Sequence, residues 1–436
     1  MSANNPTTAP VSESATSTQS ERRRRLLWLG LPLLLSTSVK LWLALTTFGT
    51  NDVRYWQTFM NYLVEHGSVT IYRDIWYYNH PPMMSGFLLL LHSLVDHAPN
   101  GFPFLIRLPA IVADIFSVFA VYRLVRHCWT EQRALLCAAG LALSPILVLV
   151  SGFHGNTDTV FLCFVLLATE RAVVARAPLS AGALLGIAIN IKLVPLLVAP
   201  VLLLHFGGLT QRARFIAALG AVLVAGFGYH FVAAYPYMMH NVFAYSGLAR
   251  IWGVTEMAAP GFPEIASPTG VFLAKALIAL LIFGRAVLLA RQRAMTARSA
   301  EDEDRDTLRS IGWAFLVFML LTPGFGVQYL AWLAIAAFLI DPYWAIGYNL
   351  LGGAFAFSIY HFWNRGFPWN LADSDVVGPW REPQALLGRL VWLYLLIWAV
   401  CALHAALLQR RATRAAQSGP NASRVDTLPW MRRRRV

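Results

Sequence analysis

Lysine is nearly missing from this chain: three occur in 436 residues, against 32 arginines. Charge of either sign is scarce, at 13% of residues, while 57% are hydrophobic. So little charge excludes a string of soluble domains, whose water-facing surfaces would need far more Lys, Arg, Asp and Glu. Cysteine is limited to Cys128, Cys137, Cys163 and Cys401. Without close spacing they provide neither a metal cluster nor a disulfide framework, and they are expected to be packing residues. No internal repeat is strong enough to divide the chain into related halves. What the chain does have is a succession of apolar runs of the roughly 20 residues that a membrane-spanning helix needs. It reads as a polytopic membrane protein.

The net charge of +13 raises the possibility of nucleic-acid binding, but the arginines sort by position. Arg22 to Arg25, Arg410, Arg411, Arg414 and Arg432 to Arg435 flank the first and last apolar runs. The positive-inside rule then puts both termini in the cytoplasm. Membrane lipids are expected partners and nucleic acid is not. Residues 1–25 are expected to form a disordered tail, 26–409 the membrane domain and 410–436 a basic cytoplasmic tail. The first run is too long for a cleaved signal peptide, so it should remain as an anchor.

Spans are expected near 26–47, 101–126, 133–150, 156–172, 213–234, 266–290, 343–361 and 386–409. Two further stretches, 178–206 and 310–341, are too long for one span and break at "NIKLVP" and "TPGFGVQ". Arg171 and Arg176 precede the first while Arg212 and Arg214 follow it, so both of its ends should be cytoplasmic. Each stretch is therefore expected to be a helical hairpin with its tip in the outer half of the membrane, lining an enclosed site. Segment 81–97 is expected to be interfacial or re-entrant. The count comes to about 12 spans, with outer loops at 48–100, 235–265 and 362–385. The inner linker 291–309 carries "RSAEDEDRD" and is expected to be solvated.

On the outer side, Asp52 opens "NDVRYWQTFMNYLVEHG", which should form an interfacial helix with Tyr55, Trp56, Phe59 and Tyr62 toward lipid. A cap from Asn51 or Asp52 accounts plainly for the aspartate, and chemistry is the alternative. The same loop adds Asp74 and His80 in "YRDIWYYNHPPMM", where a histidine before prolines is commonly a loop hydrogen-bonder. "SGFHGNTDTVF" brings His154, Asn156 and Asp158 into a glycine-punctuated turn, with Asn156 or Thr157 a possible helix cap. Lys192 at a hairpin tip would cost about 2.5–3.5 kcal/mol if deep and unpaired, so an anionic partner or snorkelling is expected. On the outer side it suits a phosphate, with Arg107 or Arg250 assisting. Lys40 and Asp114 lie inside spans and should form a structural ion pair. Trp252, Trp363, Trp369 and Trp380 can stack on sugar rings or belong to an interfacial belt.

As an ordered set, the aspartate after the first span, "YYNHPPMM", "INIKLVPLLVAP" and "TPGFGVQYLAWL" resemble the GT-C glycosyltransferases. Within these they are most similar to the mannosyltransferase-like members of glycosyltransferase family 87 and related glycolipid mannosyltransferases. The resemblance spans about residues 26 to 341. It implies an all-α GT-C-like membrane bundle that moves a sugar, mannose foremost, from a polyprenyl phosphate to a lipid-linked or glycan acceptor outside the plasma (inner) membrane. By the same resemblance Asp52 is the catalytic carboxylate, while Lys192 and Gln328 fall on the family's lysine and glutamine positions. His80, His154 and Asp158 are taken as substrate contacts. Several GT-C groups pair two acidic residues where this chain has Asn51, Asp52, Val53 and Arg54. No cofactor is therefore expected, and a divalent metal is possible without being favoured, since such an ion usually wants several oxygen ligands.

The same roles follow from chemistry. A phosphate leaving group needs no proton, so one carboxylate as base and fixed cations at the phosphate suffice, typically with inversion. Two other classes share some of these features: a transporter or flippase, with broken helices and intramembrane charges, and a non-catalytic subunit of a glycan-assembly complex.

Overall fold

The computed structural model describes residues 26–295 and 298–418, with side chains for 27–295 and 298–408. The expected N-terminal tail, the arginines of both flanks and residues 419–436 lie outside the described side chains. The boundary expected at 410 falls within a helix that continues to Ser418.

The described residues are mostly helical. α1 (Leu31–Thr46) leads through β1 (Gly49–Thr50) into α2 (Asn51–His66), and α3 (Pro82–His92) follows. α4 (Leu108–Cys128), α5 (Glu131–Ala142) and α6 (Asp158–Val173) form the centre, with Leu124, Ile146, Phe161 and Trp332 buried among them. Next come α7 (Pro178–Ile191), α8 (Ala199–His205) and α9 (Leu209–Ala233). The C-terminal half holds α10 (Pro268–Met295), α11 (Ala300–Leu321), α12 (Leu330–Ala336), α13 (Pro342–Trp363), β2 (Leu371–Ala372) and α14 (Glu382–Ser418).

Among the described residues six helical segments are long and apolar enough to cross a membrane: 27–46, 101–128, 131–154, 209–233, 268–295 and 382–408. That is fewer than the expected dozen. α6, α7 and α8 have 16, 14 and 7 residues, and the expected spans there are short or interrupted. The outer helices α9, α10 and α14 expose Val224, Val232, Leu280, Phe283 and Leu403, the apolar rim that a bilayer would cover. α3 has 11 residues, about 16 Å of helix, too short to span.

Both over-long stretches turn back on themselves. α7 ends at Lys192, whose backbone is extended at φ −155° and ψ 145°, and Pro195 starts the turn that leads into α8. Arg176 before α7 lies 2.8 Å from the Asp304 carboxylate and His205 at the end of α8 lies 3.8 Å from it, so the two ends meet. In the second stretch Arg305, in α11, donates to the Cys128 carbonyl at 2.9 Å. Arg133, five residues on from Cys128, donates to the Ile340 carbonyl at 3.2 Å. The expectation for 291–309 needs correcting: α11 begins at Ala300, so the charged run is its first turns, and Asp304 is buried at 1% exposure. Inside the bundle Lys40 and Asp114 pair at 2.6 Å, as their depth suggested. Gly152 lets α1 come close, since a Cβ there would stand 2.8 Å from Lys40 Cα.

Candidate active site

β2 and the residue before it fix the start of α2. β1 and β2 pair in parallel, Gly49 with Leu371 and Thr50 with Ala372, and Asn370 accepts from the Phe48 N–H through its side chain. Thr50 is the N-cap, accepting from the Asp52 N–H at 3.3 Å. This corrects the expected cap from Asn51 or Asp52 and frees the Asp52 carboxylate. The aromatic face of α2 also differs from expectation. Trp56 and Phe59 turn into the protein, and Trp56 stacks on His80 at 4.1 Å between ring centres.

Asp52 Oδ2 takes two hydrogen bonds, from His154 Nε2 at 2.9 Å and Asn156 Nδ2 at 3.0 Å. His154 Nδ1 lies 2.8 Å from the Tyr360 hydroxyl. The Nε2–H donates to Asp52, and the direction of the bond between Nδ1 and the Tyr360 hydroxyl follows the protonation of the ring. Neither Asn156 nor Thr157 caps α6 with its side chain; the Asn156 amide is committed to Asp52. Among the described residues Asp52 Oδ1 accepts no protein hydrogen bond, and 28% of the side chain is exposed. Burial alone would raise the Asp52 pKa; the charge and hydrogen bond of His154, then Asn156 and Lys192, outweigh it and hold the carboxyl below its ordinary 3.8.

Asp52 borders a cavity of about 1100 Å³ together with His80, His154, Asn156, Lys192 and Gln328. Lys192 Nζ sits 2.5 Å from Asp158 Oδ1 and over the rings of Tyr329 and Trp332, at 5.3 and 5.1 Å from their centres. The helix break thus presents the ammonium while the buried Asp158 supplies the anionic partner a membrane lysine needs. Asp158 does not border the cavity; it holds Lys192 from behind. His80 is pushed down to about 3, by burial first and then by Lys192, and is neutral at physiological pH.

Two expected phosphate ligands lie elsewhere. Arg107 is fully buried and spends its guanidinium on the carbonyls of Pro103, Leu43, Thr47, Phe48 and Gly152. It pins the β1 corner and does not reach the cavity. Arg250 is exposed, at φ +67°, and does not border the cavity either. Lys275, Asp375 and Tyr245 do border it and were not singled out from sequence. Lys275 carried the same signal as Lys192, a lysine inside an apolar run; Asp375, alone in a polar loop, carried none. Trp363 and Trp380 reach the cavity. Trp252 is instead buried 4.4 Å from Phe325, and Trp369 packs 5.0 Å from Phe153.

Residues 79–240 match the family model described as dolichyl-phosphate-mannose-protein mannosyltransferase. Both comparisons are with glycosyltransferases, in keeping with the GT-C resemblance. The matched segment takes in His80, His154, Asn156 and Lys192; Asp52 and Gln328 fall outside it. The narrower kinship with glycosyltransferase family 87 receives no support from it. A relative in Arabidopsis thaliana, a dolichyl pyrophosphate Glc1Man9GlcNAc2 alpha-1,3-glucosyltransferase, is 28% identical over 248 residues. That alignment covers 50% of this chain and 46% of the relative, so the chain spans about half the length of the curated relative it matches.

Proposed function

We propose that this membrane glycosyltransferase moves a sugar, mannose foremost, from a polyprenyl-phosphate donor to a lipid-linked or glycan acceptor, with inversion, on the outer face of the plasma membrane. The observation that carries the reading is a carboxylate with one oxygen immobilised and one free, in the same cavity as a lysine held by a helix break.

In the proposed step an acceptor hydroxyl oxygen bonds to the anomeric carbon and its proton passes to Asp52 Oδ1. The bond from the anomeric carbon to the phosphate oxygen breaks, and the polyprenyl phosphate leaves with the electron pair and one more negative charge. A carboxylate held low is a poor base toward a free alcohol, but adequate once the hydroxyl has begun to bond and its proton has become acidic. The growing phosphate charge is met by Lys192, and by Lys275 in the place first expected of Arg107 or Arg250. Lys275 donates to the Ala244 and Tyr245 carbonyls at 3.3 and 2.9 Å and has no carboxylate partner among the described residues. Leu193, Leu196, Leu197, Phe243 and Ile278 give the cavity an apolar part suited to the polyprenyl chain. No divalent metal is invoked, because two lysines can neutralise the departing phosphate.

The outer face is favoured by the distribution of arginines: Arg123, Arg126, Arg133 and Arg176 lie at the other end of α4 from the cavity. The two related descriptions name different sugars and acceptors, mannose and a protein in one, glucose and a glycan in the other. The test is Asp52→Asn assayed with polyprenyl-phosphate mannose and polyprenyl-phosphate glucose. Loss of a general base should cost about 10²–10⁴-fold in turnover at normal expression. Turnover near that of the unaltered protein would sink the assignment.

A further inference from the structure

The loop after β2 stands over the catalytic corner and has no part in the transfer step itself. Its two aspartates do different work. Asp373 pairs with Arg54 at 2.5 Å and caps its own turn, accepting from the N–H groups of Asp375 and Val376. Asp375 accepts from the Tyr55 hydroxyl at 2.7 Å and from Asn51 Nδ2 at 3.3 Å, and no cation pairs with it among the described residues. A carboxylate offers about four acceptor positions, so about two stay open. Asp375 borders the cavity, and its partner Asn51 is the chain neighbour of Asp52. Trp363 and Trp380 border the same cavity with their rings 6.1 Å apart, Trp363 being held by its N–H to the Gly378 carbonyl at 3.1 Å.

An unpaired carboxylate beside two indoles suits one class of neutral ligand. A sugar ring presents neighbouring hydroxyls as donors to the carboxylate and a C–H face to the indoles. A simple lipid alcohol has one hydroxyl and leaves the open positions of Asp375 unfilled, at a cost in discrimination. An extended peptide seeks a free strand edge. Here β1 and β2 are two residues each, too short to seat one.

We propose that Asp375, with Trp363 and Trp380, forms an acceptor subsite, and that the accepting hydroxyl belongs to a sugar ring. This rests on the reading of Asp52 as the base of glycosyl transfer.

The test uses the full chain in nanodiscs with polyprenyl-phosphate mannose and polyprenyl-phosphate glucose as donors, octyl glycosides as acceptor probes and a threonine-containing peptide as the alternative. The expected result is transfer to an octyl glycoside and none to the peptide. Asp375→Asn and Trp380→Ala should each raise the glycoside KM about tenfold or more while the donor KM stays unchanged, and Asp375→Glu should recover part of the loss. An unchanged glycoside KM in both variants, or transfer to the peptide, overturns the subsite. Release of polyprenyl phosphate by the unaltered protein is scored separately. Its complete absence with both donors overturns glycosyl transfer itself and the subsite with it, whereas release with no acceptor effect overturns the subsite alone.

Discussion

His154 is held between a phenol and a carboxylate, those of Tyr360 and Asp52. Its part is to orient Asp52 and to keep it ionised against burial, which on its own favours the protonated form. The sign of the pH effect follows. With the carboxyl below 3.8, the ionised form of the proposed base is present above that value and is lost only as pH falls through the lowered pKa. Turnover should therefore stay level toward mildly acidic pH as far as Asp52 is concerned. In His154→Ala the largest lowering influence is gone while burial remains, so the acid limb of kcat/KM should move upward. A pH–rate profile of both proteins between about pH 4 and 7 reads this directly, and an unmoved limb would mean that Asp52 does not set it. At this scale the sequence was legible where a residue type was out of place: a lysine in an apolar run, or an aspartate at a span end. It was not legible for Arg107, because an arginine bound to backbone carbonyls and one facing a phosphate have the same sequence surroundings.

Elements come together at this corner through two glycines. Gly49 has φ +112° and a Cβ there would lie 2.7 Å from the Phe153 carbonyl; Gly155 has φ +83° and its Cβ would lie 2.3 Å from Val53 Cγ2. The turn bearing His154 and Asn156 is thereby pressed against the first turn of α2, which bears Asp52. Gly155→Ala should impose left-handed strain of about 1–2 kcal/mol and a packing clash of about 1–3 kcal/mol, displacing the two donors from Asp52. Val53→Ala relieves the clash but not the strain, so the double variant should recover part of both stability and turnover. Thermal midpoints and rates of the single and double variants make a cycle, and strictly additive effects would refute the contact. The helix breaks at Lys192 and "TPGFG" could be read in advance, since an apolar run too long for one span has to turn, and a polar or Pro/Gly interruption is where its helix can stop. The inward turn of α2 could not. A helix lying on a membrane and one packed on a loop share the same 3.6-residue period, and only tertiary contacts choose between them.

Across the whole molecule the corner at Asp52 has a counterpart at the far end of α4. The 21 residues of that helix put His127 about 30 Å from Arg107. There Asp304 gathers His127 at 2.8 Å, Arg176 at 2.8 Å and His205 at 3.8 Å, joining the end of α4, both ends of the first hairpin and the start of α11. A run of alternating charge gave no hint that one of its aspartates would be interior. The carboxylate and His205 are almost fully buried, whereas Arg176 is 45% exposed and can be rehydrated. Breaking a fully buried pair costs about 3–5 kcal/mol, so Asp304→Asn should destabilise by the lower part of that range. The cluster fixes the hairpin whose other end carries Lys192, but it touches neither substrate nor cavity. Asp304→Asn should therefore lower the thermal midpoint clearly while the donor KM of the folded fraction changes little. Thermal unfolding in detergent and donor kinetics below the transition read the two effects independently. An unchanged midpoint would mean that the hairpin is held by packing of α7 on α6 and α9, and a raised donor KM would mean that the two ends of the bundle are coupled across α7.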